Sequence, residues 1–150
     1  MAQKLILIRG LLGSGKSTFA KKIKEGYFNV PIGDDYFEHF EADMFFTNTK
    51  GEYKFDPSKL KDAHAWCFDK TRGHLLFKDS VVVSNTFIKY WEMKPYLEYA
   101  FNNSIETHIY EMKSQYGSIH NVPTATMERM QRDFEAIKFQ SPIYRMEAIW

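Results

Sequence analysis

The sequence predicts an α/β domain built on a mainly parallel sheet with helices on both of its faces. Two continuous apolar runs, Leu5–Ile8 and Val81–Val83, have the length and character of strands buried on both sides. A third run, Ser104–Glu111, carries its isoleucines on one face of an extended chain. Because segments with helical periodicity separate these runs, strands and helices alternate along the chain, which is typical of a parallel sheet.

Local signals predict where the helices begin and end. The second helix is expected to begin at Asp56-Pro57, because Asp is a good N-cap and Pro suits the first helical position. Pro95 is expected to be tolerated only in the first turn of its helix. The predicted helices are Ser17–Lys24, Pro57–Phe77, Tyr90–Phe101 and Thr124–Lys138.

Four further segments have weaker signals. Phe28–Ile32 is predicted to be a second strand, and residues 36–56 a small hairpin or ordered loop that carries several aromatic residues. Lys113–Pro123 is polar and is predicted to be a short lid loop. Ser141–Trp150 is too apolar for a free tail, so we expect it to dock on the body of the domain.

Length and composition narrow the function classes. The 150 residues are expected to form one domain, residues 1–150, and 44% hydrophobic with 26% charged residues excludes wholesale disorder. A net charge of +1 provides no general attraction for nucleic acid or an anionic membrane. Cys67 is the only cysteine, which excludes a disulfide within the chain and favours a cytoplasmic location. No apolar run approaches the roughly 20 residues of a membrane span, so no membrane partner is expected.

The strongest motif is Gly10–Ser17, which matches the pattern G-x-x-x-x-G-K-[ST] between a strand and a helix. In this setting backbone N–H groups and the helix N-terminus bind phosphate, the Lys16 ammonium reaches the β- and γ-phosphates, and the Ser17 hydroxyl ligates Mg²⁺. The motif therefore predicts a nucleoside triphosphate, taken as ATP, with Mg²⁺. The expected nucleotide-binding residues are Gly10, Leu11, Leu12, Gly13, Ser14, Gly15, Lys16, Ser17 and Thr18.

Two carboxylates, Asp34 and Asp35, follow the predicted second strand. Ligands of an open α/β sheet lie beyond the carboxyl ends of its strands, so we expect this pair to share a cleft with the phosphate loop. Asp34 is the candidate general base and a candidate metal-orienting group, and Asp35 is a candidate substrate contact. The alternative is that the pair caps a helical turn at Tyr36–Phe40.

Three other residues are candidate substrate contacts. Asn85 follows the Val81–Val83 strand, at a position where many phosphate-loop enzymes place a metal-orienting Asp. The alternative interpretation is that Asn85 is a turn residue between strand and helix. Lys113 begins the predicted lid, which contains no arginine. The alternative interpretation is that Lys113 is a solvated loop residue. Arg129 lies on the helix after the lid and reaches inward or lies on the surface.

Seven segments together carry a resemblance to a known family. They are Gly10–Thr18, Asp34–Phe37, Tyr53–Pro57, Leu60–Trp66, Ser84–Thr86, Trp91–Tyr96 and His120–Pro123. The sequence resembles the P-loop kinase-like ATPases typified by the kinase domain of bacteriophage polynucleotide kinase and its cellular relatives, small AAA-type and zeta-toxin-like P-loop proteins. This resemblance implies a P-loop NTPase three-layer sandwich with a short lid.

The resemblance also implies roles for individual residues. Lys16 and Ser17 match the phosphate and Mg²⁺ contacts, and Asp34 matches the aspartate that activates the 5′-hydroxyl of a polynucleotide. Asn85 matches a substrate-side or metal-side Asp. Two arginines of the family pattern are missing, since Phe37 occupies one position and Gly117 lies near the other.

These residues support three functional hypotheses. The first is an ATP- and Mg²⁺-dependent phosphotransferase acting on a hydroxyl such as a polynucleotide 5′-OH. The second is a kinase for a small metabolite, which the near-neutral charge favours. The third is a nucleotide-binding module with little or no turnover, which the missing arginines favour.

Overall fold

The structure, a computed structural model, describes residues 3–26, 37–113, 124–136 and 143–146. Its centre is a five-stranded, fully parallel sheet with the strand order β2-β3-β1-β4-β5. The strands are β1 (Lys4–Arg9), β2 (Phe37–Phe40), β3 (Ser80–Ser84), β4 (Glu106–Met112) and β5 (Ile143–Met146). The parallel sheet predicted from the apolar runs is confirmed.

Helices cover both faces of the sheet. The α-helices in the described ranges are α1 (Lys16–Lys24), α2 (Leu60–Leu76), α3 (Tyr90–Asn102) and α4 (Thr124–Asp133). Alternate residues of β1 point to opposite faces. Ile6 and Ile8 pack with the buried residues of α1, and Leu5 and Leu7 pack with those of α2 and α3. The chain therefore folds as a three-layer α/β sandwich, as expected.

The second strand differs from the prediction. Phe37–Phe40 lies within the segment expected to be a hairpin, loop or helical turn, and it instead pairs in parallel with β3 at the edge of the sheet. Phe37 and His39 are buried while Glu38 and Phe40 are half-buried, an alternation too short to recognise without the partner strand. The predicted strand Phe28–Ile32 lies outside the described residues.

The segment after β2 combines a short helix and an ordered loop. Ala42–Phe46 is a 3₁₀ helix, and an isolated antiparallel bridge joins Thr47 to Tyr53. A 3₁₀ turn at Pro57–Lys59 then leads into α2, and the Asp56 side chain accepts a hydrogen bond from the Ser58 N–H. The predicted ordered loop and the Asp cap are therefore confirmed.

One prediction, the place of Pro95 in its helix, needs correction. Pro95 lies inside α3 and not in its first turn. The carbonyl that loses its donor belongs to Trp91, an exposed residue, and burial of Met93, Tyr96 and Ala100 stabilises the helix around the proline. The expected docking of the C-terminal segment is confirmed for its described part, residues 143–146, which form the strand β5 beside β4. Within the described ranges, no helix combines the length and apolarity needed to cross a membrane.

Candidate active site

The phosphate loop connects the carboxyl end of β1 to the N-terminus of α1. Gly13 and Gly15 have φ angles of 77° and 91°, which L-residues with a side chain rarely adopt. A Cβ atom on Gly10 would lie 2.5 Å from Ser14 Oγ and 3.1 Å from Met112. The local geometry therefore favours glycine at these three positions, of which Gly10 and Gly15 are the glycines of the motif.

The Lys16 side chain folds back over this loop. Its Nζ donates a hydrogen bond to the carbonyl of Leu11 over 2.9 Å. Burial lowers the pKa of Lys16 to about 8, and the nearby Glu41 carboxylate opposes this shift. An ammonium has three donors, so this half-buried cation retains donors for a phosphate oxygen.

Ser14 adds a second feature that fits an anion. The residue is 1% exposed, and within the described part of the chain its buried hydroxyl has no hydrogen-bond partner. A buried polar group without a partner is costly. Together with the glycine geometry and Lys16, this hydroxyl shows that the loop fits the phosphates of a nucleotide.

Glu41 joins the phosphate loop to the ends of two strands. It follows β2 directly, and its Oε2 accepts hydrogen bonds from the Ser17 hydroxyl at 2.7 Å and from the Ser84 hydroxyl at 3.0 Å. This residue was not predicted from the sequence, because β2 was not recognised. Had Phe37–Phe40 been identified as a strand, the rule that ligands lie beyond carboxyl ends would have selected Glu41.

His39 extends this network into the protein. Its Nε2 lies 2.8 Å from Ser84 Oγ. Since the Ser84 hydroxyl donates to Glu41, it accepts from His39, which fixes the Nε2–H tautomer. Burial lowers the pKa of His39, although the Glu41 carboxylate opposes the shift. His39 therefore acts as a neutral donor that orients Ser84.

The side chain of Asn85 is used inside the fold. Its Oδ1 accepts the backbone N–H of Ala42 at 2.8 Å, and its Nδ2 donates to the Cys67 sulfur at 3.7 Å. These contacts hold the start of the 3₁₀ helix, directly after Glu41. Asn85 thus positions the neighbouring carboxylate in this structure.

The other predicted site residues have different locations. Asp34 and Asp35 lie outside the described residues, and in the chain they precede β2. Lys113 is half-exposed, with Nζ 3.4 Å from Glu111 Oε2, and Arg129 is exposed on α4. Phe37, which occupies the position of one missing family arginine, is 1% exposed and packs in the core between the sheet and α1.

A fully buried charge lies at the same edge of the sheet. Arg9, the last residue of β1, is fully buried, and its Nη1 lies 2.9 Å from Glu111 Oε1. Its Nε and Nη2 donate to the Phe87 carbonyl at 3.0 and 2.8 Å, and Nη2 also donates to the Ile88 carbonyl at 3.2 Å. The guanidinium also lies 3.9 Å from the centre of the Phe134 ring.

A cavity of about 560 Å³ lies beside the 3₁₀ helix that comes after Glu41. Three aromatic rings and two lysines contribute to its lining. They are Phe45, Phe46, Phe55, Lys54 and Lys59. The Phe46 and Phe55 rings are 5.0 Å apart in an edge-to-face arrangement, and Phe55 is half-exposed. The Asp56 carboxylate also lines the cavity, so this aromatic surface with both charges nearby suits a planar ligand.

The comparison with protein families decides the assignment of the chain. The model described as "AAA domain" matches residues 5–137. The chain belongs to the AAA domain family. With its phosphate loop and sheet, it is a P-loop kinase-like domain, and the resemblance stated from the sequence is confirmed.

A curated relative is human NEDD4-binding protein 2, which is 37% identical over 99 residues. The alignment covers 62% of this chain but 5% of the human protein. The similarity therefore concerns one small part of that relative's length.

Three solved structures share the fold. Kti12 of Chaetomium thermophilum, in complex with ADP-AlF3, has a TM-score of 0.68 at 15% identity, over 95% of this chain and 88% of that one. A chain of the Pnkp1/Rnl/Hen1 RNA repair complex has a TM-score of 0.65 at 14% identity, over 89% of this chain and 44% of that one. A sugar kinase from Janibacter sp. has a TM-score of 0.63 at 12% identity, over 98% and 86%. At these identities, the structures show a shared fold.

Proposed function

We propose that this chain is an ATP- and Mg²⁺-dependent phosphotransferase whose acceptor is a hydroxyl, most specifically the 5′-OH of a polynucleotide. The observation that carries the proposal is the phosphate loop, in which a half-buried Lys16 and the Ser17 hydroxyl lie beside Glu41, the carboxylate that follows β2. Phosphoryl transfer requires mainly positioning and charge stabilisation, and these groups supply both.

The general base has two candidates within this proposal. Asp34 is the residue that the resemblance implies. Asp43 is the one that the geometry favours, because it lies two residues beyond Glu41 at the carboxyl end of β2 and is exposed. Its Oδ1 accepts the Tyr53 hydroxyl at 2.6 Å, which orients the carboxylate. Asp35, Asn85, Lys113 and Arg129 remain proposed substrate contacts.

The cavity beside the 3₁₀ helix favours a nucleic-acid acceptor. From Glu41 to Phe46 the chain advances about 10 Å at the 3₁₀ rise, a suitable reach from the γ-phosphate to the first nucleobase. A half-exposed Phe55 ring offers stacking, and Lys54 and Lys59 offer charge. The similarity to a chain of an RNA repair complex agrees with this acceptor.

Two alternatives have their own support. A small-metabolite kinase agrees with the net charge of +1 and with the fold shared with a sugar kinase. A nucleotide-binding module with little turnover agrees with the absence of arginine from the predicted lid sequence. Both share the phosphate loop, and they differ only in the fate of the γ-phosphate once ATP is bound.

The test is transfer of labelled γ-phosphate from ATP to a panel of 5′-hydroxyl oligonucleotides, sugars and other small alcohols. We expect label at the oligonucleotide 5′-end, and loss of at least 100-fold in kcat in the variant that lacks the base. Asp34→Asn and Asp43→Asn are compared, with Asp69→Asn, an exposed carboxylate of α2, as the matched control. Transfer only to a small alcohol supports the metabolite kinase, and tight ATP binding without any transfer supports the module.

A further inference from the structure

The end of β3 lacks the acidic residue that would orient a metal ion. Ser84 and Asn85 occupy this position. Among the described residues there is no group of three or more His, Cys, Asp or Glu side chains that could hold a metal ion. A Mg²⁺ ion carried by a nucleotide would therefore depend on few protein ligands, and Mg²⁺ ordinarily uses one or two carboxylates together with substrate phosphates.

Glu41 is the carboxylate in reach of such an ion. Its Oε2 lies 2.7 Å from Ser17 Oγ, the hydroxyl that the motif assigns to Mg²⁺. Two neighbouring ligands of an octahedral Mg²⁺ at about 2.05 Å are about 2.9 Å apart. The two oxygens, which a hydrogen bond joins in this structure, are thus within about 0.2 Å of the spacing that two adjacent Mg²⁺ ligands require, with phosphate oxygens and water to complete the shell.

The surrounding residues hold Glu41 in this position. Ser84 donates to the same Oε2 at 3.0 Å and itself accepts from His39 at 2.8 Å. Asn85 fixes the next backbone N–H, that of Ala42. Such hydrogen bonds to a metal-ligating carboxylate are typical outer-shell contacts. The end of β3 thus carries no carboxylate, but its Ser84 and Asn85 hold Glu41, which follows β2, in position.

Charge balance agrees with this arrangement. Glu41 lies close enough to Lys16 to act on it electrostatically, so an anion and a cation flank the loop in which the phosphates bind. A carboxylate facing phosphate oxygens directly would be repulsive, whereas a divalent cation between them makes both contacts favourable.

We propose that Glu41 is the carboxylate ligand of the nucleotide-bound Mg²⁺, beside Ser17, and that Ser84, Asn85 and His39 position it. This inference rests on the proposed function only for the nucleotide and its metal ion. It does not depend on the acceptor.

The test measures binding and requires no turnover. The affinity of a non-hydrolysable ATP analogue is measured by calorimetry with Mg²⁺ and with EDTA, for the wild type, Glu41→Gln and Glu38→Gln. Glu38 lies on the same strand and faces Lys24 of α1, so it is the matched control. Gln keeps an oxygen acceptor for the two serines while it removes the charge. Thermal melting verifies that the variants are folded.

We expect Glu41→Gln to lose tenfold or more of the affinity gain that Mg²⁺ gives the wild type and Glu38→Gln. Its affinity in EDTA should be unchanged or higher, since a negative charge near the phosphates is gone. A Mn²⁺ complex of the analogue, followed by electron paramagnetic resonance, should show a changed metal environment in Glu41→Gln only.

An equal Mg²⁺ gain in Glu41→Gln and the wild type, or no Mg²⁺ gain in the wild type, would overturn the proposal. A loss of affinity in EDTA would also overturn it, because Glu41 would then support the loop and not the metal ion. Failure of every acceptor in the transfer assay leaves these binding results intact, so the two proposals fail separately.

Discussion

Two charged centres, one buried and one half-buried, lie at the carboxyl edge of the sheet, and they differ in how their charges are satisfied. Arg9 has a carboxylate, two backbone carbonyls and an aromatic ring as partners, all within the protein. Lys16 has one carbonyl, and Glu41 has two hydroxyls. A charge with complete protein partners stabilises the fold, whereas a charge with few partners is available for a ligand.

The Arg9 centre also explains a strained turn. Phe87 is buried with a φ of 45°, a region that bulky residues seldom adopt. Two Arg9 donors bind its carbonyl, and the backbone N–H of Glu135 donates to the Ile88 carbonyl at 2.8 Å. The turn after β3, which begins at Asn85, is thus held from the base of the phosphate loop.

The largest effect is expected from Arg9→Met. The change should lower the free energy of unfolding by about 3–5 kcal/mol, because Glu111 stays buried without its main partner and the Phe87 carbonyl loses both of its Arg9 donors. Urea denaturation measures it. The double variant Arg9→Met/Glu111→Leu is the control and should be less destabilised than the single variant. A double variant that loses as much as the single one would contradict a buried ion pair as the source of stability.

Lys16→Met is expected to have a smaller effect of opposite sign, an increase in the free energy of unfolding. The folded pKa of about 8 is below the value of 10.5 for an ordinary lysine, so the unfolded chain binds more protons between these pH values. Stability from this group is therefore lowest below pH 8 and rises as the pH increases towards 10.5. Lys16→Met removes the penalty and should be more stable than the wild type by about 2 kcal/mol at pH 7, since some contact with water reduces the full shift.

The measurement is the difference in free energy of unfolding between the wild type and Lys16→Met at pH 7, 9 and 10.5. We expect this difference to shrink as the pH rises, because Lys16 loses its charge in the folded protein and the desolvation penalty disappears. Titrations of all other groups occur in both proteins and cancel in the difference. A constant difference would show that the ammonium carries no desolvation penalty. Nucleotide affinity should fall severely in the same variant, which separates it from Arg9→Met.

The smallest effect is expected from Phe134→Leu. Loss of the ring beneath the Arg9 guanidinium should lower the free energy of unfolding by about 1 kcal/mol, while the hydrogen bonds of Arg9 persist. Phe101→Leu is the control, since this ring is 84% exposed on α3. Equal stability of the two variants would mean that the contact contributes nothing to the Arg9 centre.

Much of this architecture was predictable from short-range patterns. Leu5–Ile8 and Val81–Val83 are strands because each is an apolar run buried on both faces. Phe37–Phe40 was not predictable as a strand, because four residues with two aromatic and two polar side chains carry little pattern. Pairing with β3, more than forty residues later, decides its conformation.

The sequence by itself determined the phosphate loop, since its glycines, Lys16 and Ser17 lie within eight consecutive residues and local backbone geometry requires them. Only the tertiary structure decided which charges meet. Ser17 and Glu41 are 24 residues apart, Glu41 and Ser84 are 43 apart, and Arg9 and Glu111 are 102 apart. These pairs form because parallel strands bring their carboxyl ends to one edge of the sheet, and the order of the strands is a property of the packed fold.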